Sequence, residues 1–444
     1  MRRSSNRRRP RRTRWTNRLR RSSRWWGASA WRPDSRALSL RRGLALRDAR
    51  RPLAAGYNQS MTKPDGRPAR NRLQCATTHM GPEPAAHGRR IAVQSHTERV
   101  ETMTLTIYLT GYLCMLASAA IGMRMRVVAW RWLAAGIAPA AAFALLRGRT
   151  GTDTAVYQDI IAGIWAGNLK VVPRTLEPGF VWLVRALEWL GHDPRIATAV
   201  LTLLVVVACV AAFGRSADDA CVFATLIFPL FFYDMAMSGL RYGVAFCIAK
   251  LASDAWARRR HGVSVAFTVA ATGMHVSAVL LVVLLQVRRL RRLRYAGLAV
   301  AIGGVLFAMH HEALLAKVGL YAAFTPPTQM SGGAPLVLAL LTLAAGWVLL
   351  ARMPRTLVFL FVCEIASFAL ARVSYAGLRF QWLVLFAMSC VFVPLLQVPT
   401  IRRRHVVVTM AVIGAIGFAM RTRNMLGEYG LGPSPFLPYR FFWE

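Results

Sequence analysis

The residues able to do chemistry stand in or beside long apolar runs. Asp153 follows Gly151-Thr152 and precedes Tyr157, and Glu177 opens the run Glu177-Pro178-Gly179-Phe180. Arg241 and Tyr242 occupy a short joint, MSGLRYG, over 237–243. His275 and Ser277 interrupt an otherwise apolar stretch, and Arg379 enters a late one. Ionisable side chains near membrane depth are costly and are kept for a task. Arginine stays charged at physiological pH and grips phosphate oxygens with paired N–H donors. A carboxylate or an imidazole takes the proton from an attacking hydroxyl. Asp153, Glu177 and His275 are thus candidates for proton transfer, and Arg241, Tyr242, Arg379 and Tyr157 for holding an anionic substrate. Plainer roles compete: a turn or helix cap for Asp153 and Glu177, a satisfied structural histidine for His275, and snorkelling to headgroups for the two arginines.

Positioning these residues is the work of the apolar runs. Segments 104–122, 127–146, 196–213, 219–237, 239–256, 295–309, 334–351, 355–371, 378–396 and 405–420 approach the length of about 20 residues that a helix needs to cross a bilayer. Stretches 178–191 and 262–287 are shorter or irregular. The expected fold is all-α, a polytopic transmembrane helical bundle of about 10–12 membrane segments, with re-entrant or interfacial helices on the outer face.

Arginine clusters at 124–131, 258–260, 288–294, 352–355 and 402–404 mark cytoplasmic joints. Placing all of them inside leaves 262–287 between two cytoplasmic clusters. It must return to the side it left, which predicts two half-helices meeting at the Gly of Gly273-Met274-His275; the alternative is one long helix with the charge rule failing locally. Irregular backbone at that depth survives only under cover of protein or of a watery cavity. The same parity forbids 178–191 from crossing. Its apolar face (Phe180, Leu183, Val184, Leu187, Leu190) against Arg185 and Glu188 predicts a helix lying in the outer interface.

Residues 1–102 differ from the rest. They hold 26 of the 57 Lys and Arg but only 6 of the 19 Asp and Glu, and no long apolar run. A disordered, Arg-rich tail is expected there, with translation starting at Met103 and residues 103–444 forming the multi-pass domain. Exporting so basic a tail would oppose the orientation rule. The seven cysteines form no C-x-x-C pair, and read as small apolar residues. There is no Walker loop, GxGxxG, HExxH or GxSxG, which argues against ATP-driven chemistry. The acidic residues form no evident metal cluster.

The order G-T-D-x-x-x-Y (Gly151 to Tyr157), E-P-x-F (Glu177 to Phe180), a Leu-Arg turn (Gly239 to Arg241), H-x-S-A (His275 to Ala278), Arg379 and a terminal Pro438-Tyr439 resembles the EpsG family of bacterial exopolysaccharide and O-antigen clusters, similar to Wzy-type polymerases. Thr154 and Tyr242 depart from the family's usual aromatic and glutamine at those places. The resemblance implies glycosyl transfer on the outer face of the bacterial inner membrane. A glycan on undecaprenyl pyrophosphate would be donated to the next lipid-linked repeat unit. It implies lipid-linked oligosaccharide, membrane lipids and a flippase and chain-length regulator of the same pathway as partners, no nucleic acid, and neither cofactor nor metal. A transporter of such lipids and another membrane transferase (a ligase or an acyltransferase) are the competing readings.

Overall fold

The computed structural model describes residues 84–151, 153–168, 176–287, 332–349, 355–397, 403–426, 436 and 439–443, with side chains omitted for 84–101 and 426. Residues 80–444 form one compact unit; the other, 1–79, lies outside the described residues. So do the expected segment 295–309 and the basic cluster 288–294. The helices are α1 (Pro84–Arg124), α2 (Ala129–Leu146), α3 (Thr154–Trp165), α4 (Pro178–Leu187), α5 (Pro194–Phe213), α6 (Ala217–Val222), α7 (Leu240–Ala257), α8 (His261–Met274), α9 (Ala278–Gln286), α10 (Gly333–Leu349), α11 (Arg355–Ala371), α12 (Tyr375–Cys390), α13 (Phe392–Leu396) and α14 (Arg403–Leu426). The π-helical stretches Phe223–Phe232 and Asp234–Ser238 join α6 to α7. Among the described residues the only extended pairing is a single bridge between Arg147 and Phe441. Helix α1 starts at Pro84, ahead of Met103.

Among the described residues five stretches are long and apolar enough to cross a membrane: Thr102–Arg124, Ala129–Leu146, Pro194–Phe213, Tyr375–Leu396 and Arg403–Met425. Their outward faces are apolar too. Leu105, Leu109 and Leu113 stay exposed along α1, as do Val408, Val412 and Ile416 along α14. Stripes at four-residue spacing are apolar surface that water would penalise and lipid would not. The chain is an all-α polytopic membrane protein.

Helix α14 packs lengthwise on the π-helical segment. A methyl at Gly414 would overlap the Thr225 carbonyl oxygen, so glycine lets the two backbones approach. The wide π turns accommodate Pro229, which brings no N–H to an α-helical ladder. Ion pairs close both ends of this packing. Arg403 reaches Asp218 at 2.7 Å, and Arg421 pairs with Asp234. Arg403 and Arg421 are eighteen residues apart in α14, about 27 Å of helix at 1.5 Å per residue. That is close to the hydrocarbon thickness of about 30 Å. The two elements therefore run in the same direction, with charge pairs near both faces of the slab.

The stretch 262–287 is two helices rather than one. Ser264 Oγ, early in α8, donates to the Ala252 carbonyl at 2.8 Å. Gln286 Nε2, at the end of α9, donates to the neighbouring Ser253 carbonyl at 3.4 Å. Both outer ends thus return to the same level of α7, as expected of a re-entrant hairpin. The break falls at 275–277, slightly beyond the expected Gly273. The His275 N–H still bonds the Ala271 carbonyl (2.9 Å), and the chain turns extended only at His275 (φ −158°, ψ 122°). Stretch 178–191 is α4 followed by one 3-10 turn. Trp182 and Trp189 are 75% and 90% exposed along it, the placement of aromatic residues at a membrane interface.

Candidate functional site

The chain on either side of Thr152, at Gly151 and Asp153, is anchored from three directions. Gly151 has φ +112°, and a Cβ there would lie 2.9 Å from the Met237 carbonyl oxygen, so both conformation and space call for glycine. Thr154 Oγ1 lies 2.8 Å and 3.0 Å from the Thr150 and Met237 carbonyl oxygens. It also accepts from Nε of the buried Arg147 (3.2 Å), whose Nη1 donates to Thr202 (3.1 Å) and to the Ala144 carbonyl. Burial pushes the Arg147 guanidinium down to about 10. From the far end of the chain, the Arg440 N–H donates to Thr150 Oγ1 at 3.0 Å, and its carbonyl accepts from Gly148 at 2.8 Å. The Tyr439 hydroxyl donates to the Phe143 carbonyl. The terminal Tyr439 thus holds the end of α2 and, through its neighbour Arg440, the G-T-D turn.

The turn opens α3, which lies within the stretch 148–176 and was not anticipated. Its inner face buries Tyr157, Ile160, Ile161 and Ile164. Asp153 takes the N-cap position, yet its side chain makes no capping hydrogen bond. Glu177 takes the N-cap position of α4, again without a capping bond. Its carboxylate reaches across the bundle instead. Oε2 accepts from Arg241 Nη1 at 2.8 Å, and Oε1 accepts from the Val276 N–H at 3.2 Å. Glu177 is 6% exposed at its side chain and Arg241 21%.

This carboxylate therefore satisfies an N–H that the helix break leaves without an intrahelical acceptor. Close packing permits the reach. A Cβ on Gly179 would lie 2.7 Å from the Gly273 carbonyl oxygen, so α4 rests directly on the backbone of α8. Arg241 is held in its plane by aromatic rings. Its Cζ lies 5.4 Å from the Phe180 centroid and 6.0 Å from that of Tyr157, within range of cation–π attraction. The Arg241 N–H lies 3.5 Å from the Tyr157 hydroxyl, and Asp153 acts on the guanidinium electrostatically. Ser277 Oγ lies 2.7 Å from His275 Nδ1, closing a small polar ring at the break. Of the residues singled out from sequence, Tyr157, Glu177 and Arg241 thus meet in one cluster built from α3, α4, α7 and the α8–α9 break, with Asp153 acting on Arg241 electrostatically and His275 next to Val276 in the break.

A family model matches residues 130–441, all of that cluster included. The chain belongs to the EpsG family. No curated protein and no solved structure matches it. Membership suggests a polysaccharide-polymerase-like role at a membrane.

The two other residues singled out from sequence in this EpsG-family chain, Tyr242 and Arg379, belong to a second group of charged residues. Tyr242 donates to Asp234, a residue no motif predicted. Arg379 is exposed on α12, within electrostatic reach of the Tyr242 hydroxyl. At the opposite end of the bundle lies a charge cluster also unforeseen. Lys250 Nζ donates to Asp219 (3.0 Å) and to both oxygens of Asp254 (2.7 and 2.8 Å). Lys250 lies four residues before Asp254, a helical spacing that could have flagged that pair. Asp219 could not be paired from sequence. Cys209, Cys221, Cys247 and Cys390 are buried and free, in keeping with their reading as small apolar residues.

Proposed function

We propose that this chain polymerises lipid-linked oligosaccharide repeat units by glycosyl transfer at the outer face of the bacterial inner membrane. The observation that carries the reading is the Glu177–Arg241 pair seated on a helix break inside the bundle, with Asp153 and Tyr157 beside it. Transfer from a polyprenyl pyrophosphate needs a cation at the leaving group and a base at the attacking hydroxyl.

Arg241 contacts the pyrophosphate of the donor and stabilises its growing charge. The bond between the anomeric carbon and the pyrophosphate oxygen breaks, and the acceptor hydroxyl oxygen bonds that carbon. Its proton passes to a carboxylate, and polyprenyl pyrophosphate departs. Both oxygens of Glu177 are already committed, to Arg241 and to Val276. This favours Asp153 as the proton acceptor and gives Glu177 the task of holding Arg241 and the break. His275, tied to Ser277, shapes the wall of the site. The donor is already activated, so this step needs no nucleotide sugar.

The test is complementation. Deleting the gene collapses a ladder of lipid-linked glycan to one repeat unit, and the wild-type gene restores it. Arg241→Ala and Asp153→Asn, expressed at wild-type level, restore single units only. Full-length polymer from both variants overturns the assignment.

A further inference from the structure

Arg147 is a charged group that the proposed reaction does not use. It is 6% exposed, and among the described residues no carboxylate pairs with it. The groups acting on its charge are the hydroxyls of Tyr439, Tyr108 and Tyr157. One of its nitrogens, Nη2, is buried without a hydrogen-bond partner. An uncompensated buried charge is destabilising, and an apolar residue of similar volume would serve the packing better. Stability therefore does not account for an arginine here.

What the guanidinium does is join two hydroxyls. Nε donates to Thr154 Oγ1 at 3.2 Å, and Nη1 donates to Thr202 Oγ1 at 3.1 Å. A hydroxyl that accepts from a guanidinium turns its own hydrogen away from it. Each then has a choice of carbonyl acceptors. One lies four residues earlier in its own chain segment, Thr150 at 2.8 Å and Thr198 at 3.0 Å. The other belongs to the last π turn: Met237 lies 3.0 Å from Thr154 Oγ1, and Ala236 lies 3.3 Å from Thr202 Oγ1. One guanidinium thus ties the backbone at 236–237 to the start of α3 and to α5. Both ends of that link are a short step from the site. Asp153 precedes Thr154 directly, and Arg241 follows Met237 by four residues through Gly239. The C-terminal residues seat Arg147 from both sides. The Phe442 N–H donates to the Leu146 carbonyl at 2.9 Å, and the Gly148 N–H to the Arg440 carbonyl at 2.8 Å.

We propose that Arg147 is a positioning residue, which through Thr154 and Thr202 sets the placement of Asp153 relative to Arg241. The planar fork matters: its donors hold two hydroxyls at a fixed separation, which neither an ammonium nor an apolar chain does. The inference rests on the proposed reaction only in naming Asp153 and Arg241 as the groups that need placing.

The experiment is Arg147→Met, studied as the full chain in nanodiscs and in the complementation strain. Methionine fills the space without a charge, and both threonine hydroxyls keep a carbonyl to bond. The melting midpoint in detergent stays at or above that of wild type. Hydrogen exchange of peptides covering 153–157 and 236–241 speeds up at least about tenfold, as expected when a hydrogen bond to a charged group is lost. Peptides around Lys250 exchange as in wild type, and polymer length in the complementation assay falls. Thr154→Val removes one hydroxyl at nearly constant volume and has the same effect on exchange and polymer. Thr154→Ser keeps the hydroxyl and retains wild-type behaviour in both. The double variant Arg147→Met/Thr154→Val exchanges no faster than Arg147→Met, because the two single variants break one link.

A lower melting midpoint in Arg147→Met, with faster exchange throughout the chain, makes the arginine a general structural support and overturns the proposal. Additive effects in the double variant overturn it too. So does full-length polymer from Arg147→Met in a strain whose ladder collapses when the gene is deleted. Where deletion leaves polymer length unchanged, faster exchange confined to 153–157 and 236–241 keeps the link and discards the polymerase reading.

Discussion

Replacing Gly179 by alanine should loosen the site without removing any polar group from it. The added methyl would sit 2.7 Å from the Gly273 oxygen, 2.8 Å from its carbonyl carbon and 3.1 Å from its Cα. All three are backbone atoms of α8 and cannot rotate away, so α4 must move outward. Overpacking of this kind costs about 1–3 kcal/mol, or roughly fivefold to 150-fold in the closed population. Glu177, two residues earlier, moves with α4 and lengthens its bond to the Val276 N–H. The mirror substitution is the control. A methyl at Gly273 would meet Gly179 Cα at 3.6 Å and Gly179 N at 3.8 Å, both ordinary contacts. Alanine near the end of α8 gains up to about 1 kcal/mol over glycine. Hydrogen exchange of peptides containing Val276 reads both: Gly179→Ala speeds exchange by the factor above, and Gly273→Ala leaves it unchanged or slower. Equal exchange in the two variants would refute the claim that the Gly179–Gly273 contact holds the carboxylate to the break.

Three further outcomes follow from the same geometry. Arg241→Lys keeps a positive charge but loses the planar group between Phe180 and Tyr157, so polymer length in the complementation assay falls nearly as far as with Arg241→Ala. Lys250→Ala leaves the buried Asp219 and the half-buried Asp254 without their shared cation, a loss of about 3–5 kcal/mol. It lowers the melting midpoint in detergent, while the stable fraction keeps its Val276 protection. Single cysteines at 261 and 287, labelled with a membrane-impermeant maleimide, react from the same side of sealed vesicles; labelling from opposite sides would abolish the hairpin.

How far the sequence foretold this arrangement depends on whether a signal is local. Long apolar runs and basic joints carry their own meaning, because bilayer thickness and membrane orientation act on each segment separately. Parity of the basic clusters required 262–287 to turn back, and the level shared by Ala252 and Ser253 reports that it does. The position of the turn was less legible, since the last turn of α8 continues past Gly273 while Ala271 still has an N–H to accept. Helix α3 was hidden because its apolar residues (Ile160, Ile161, Ile164) lie in a short stretch also rich in glycine and polar groups. The pairs Asp234–Arg421 and Asp218–Arg403 join residues far apart in sequence. No periodicity announces such a pair, because the partner is chosen by packing. Arg147 was likewise missed: its neighbours Gly148 and Arg149 look like a loop, while its burial is created by the returning C-terminal residues.

The two ends of the bundle place similar charges in different settings, and the difference assigns their work. At the Lys250 end the ammonium is 6% exposed and donates to two carboxylates, one of which also receives Ser216 Oγ. A group so enclosed locks α6 to α7, and offering it to a ligand would mean breaking the lock at the full cost of a buried charge. At the other end Arg241, Asp234 and Arg421 are each between 21% and 23% exposed, and Arg379 is open. In the proposed reaction a phosphate oxygen arriving at Arg241 would replace the Glu177 carboxylate with a similar charge-assisted bond. Glu177 is the exception at that end, since one of its oxygens serves the helix break itself. Displacing it from Arg241 therefore need not release it from Val276. The break can stay formed while the guanidinium changes partner, as the proposed exchange of pyrophosphate at Arg241 would require.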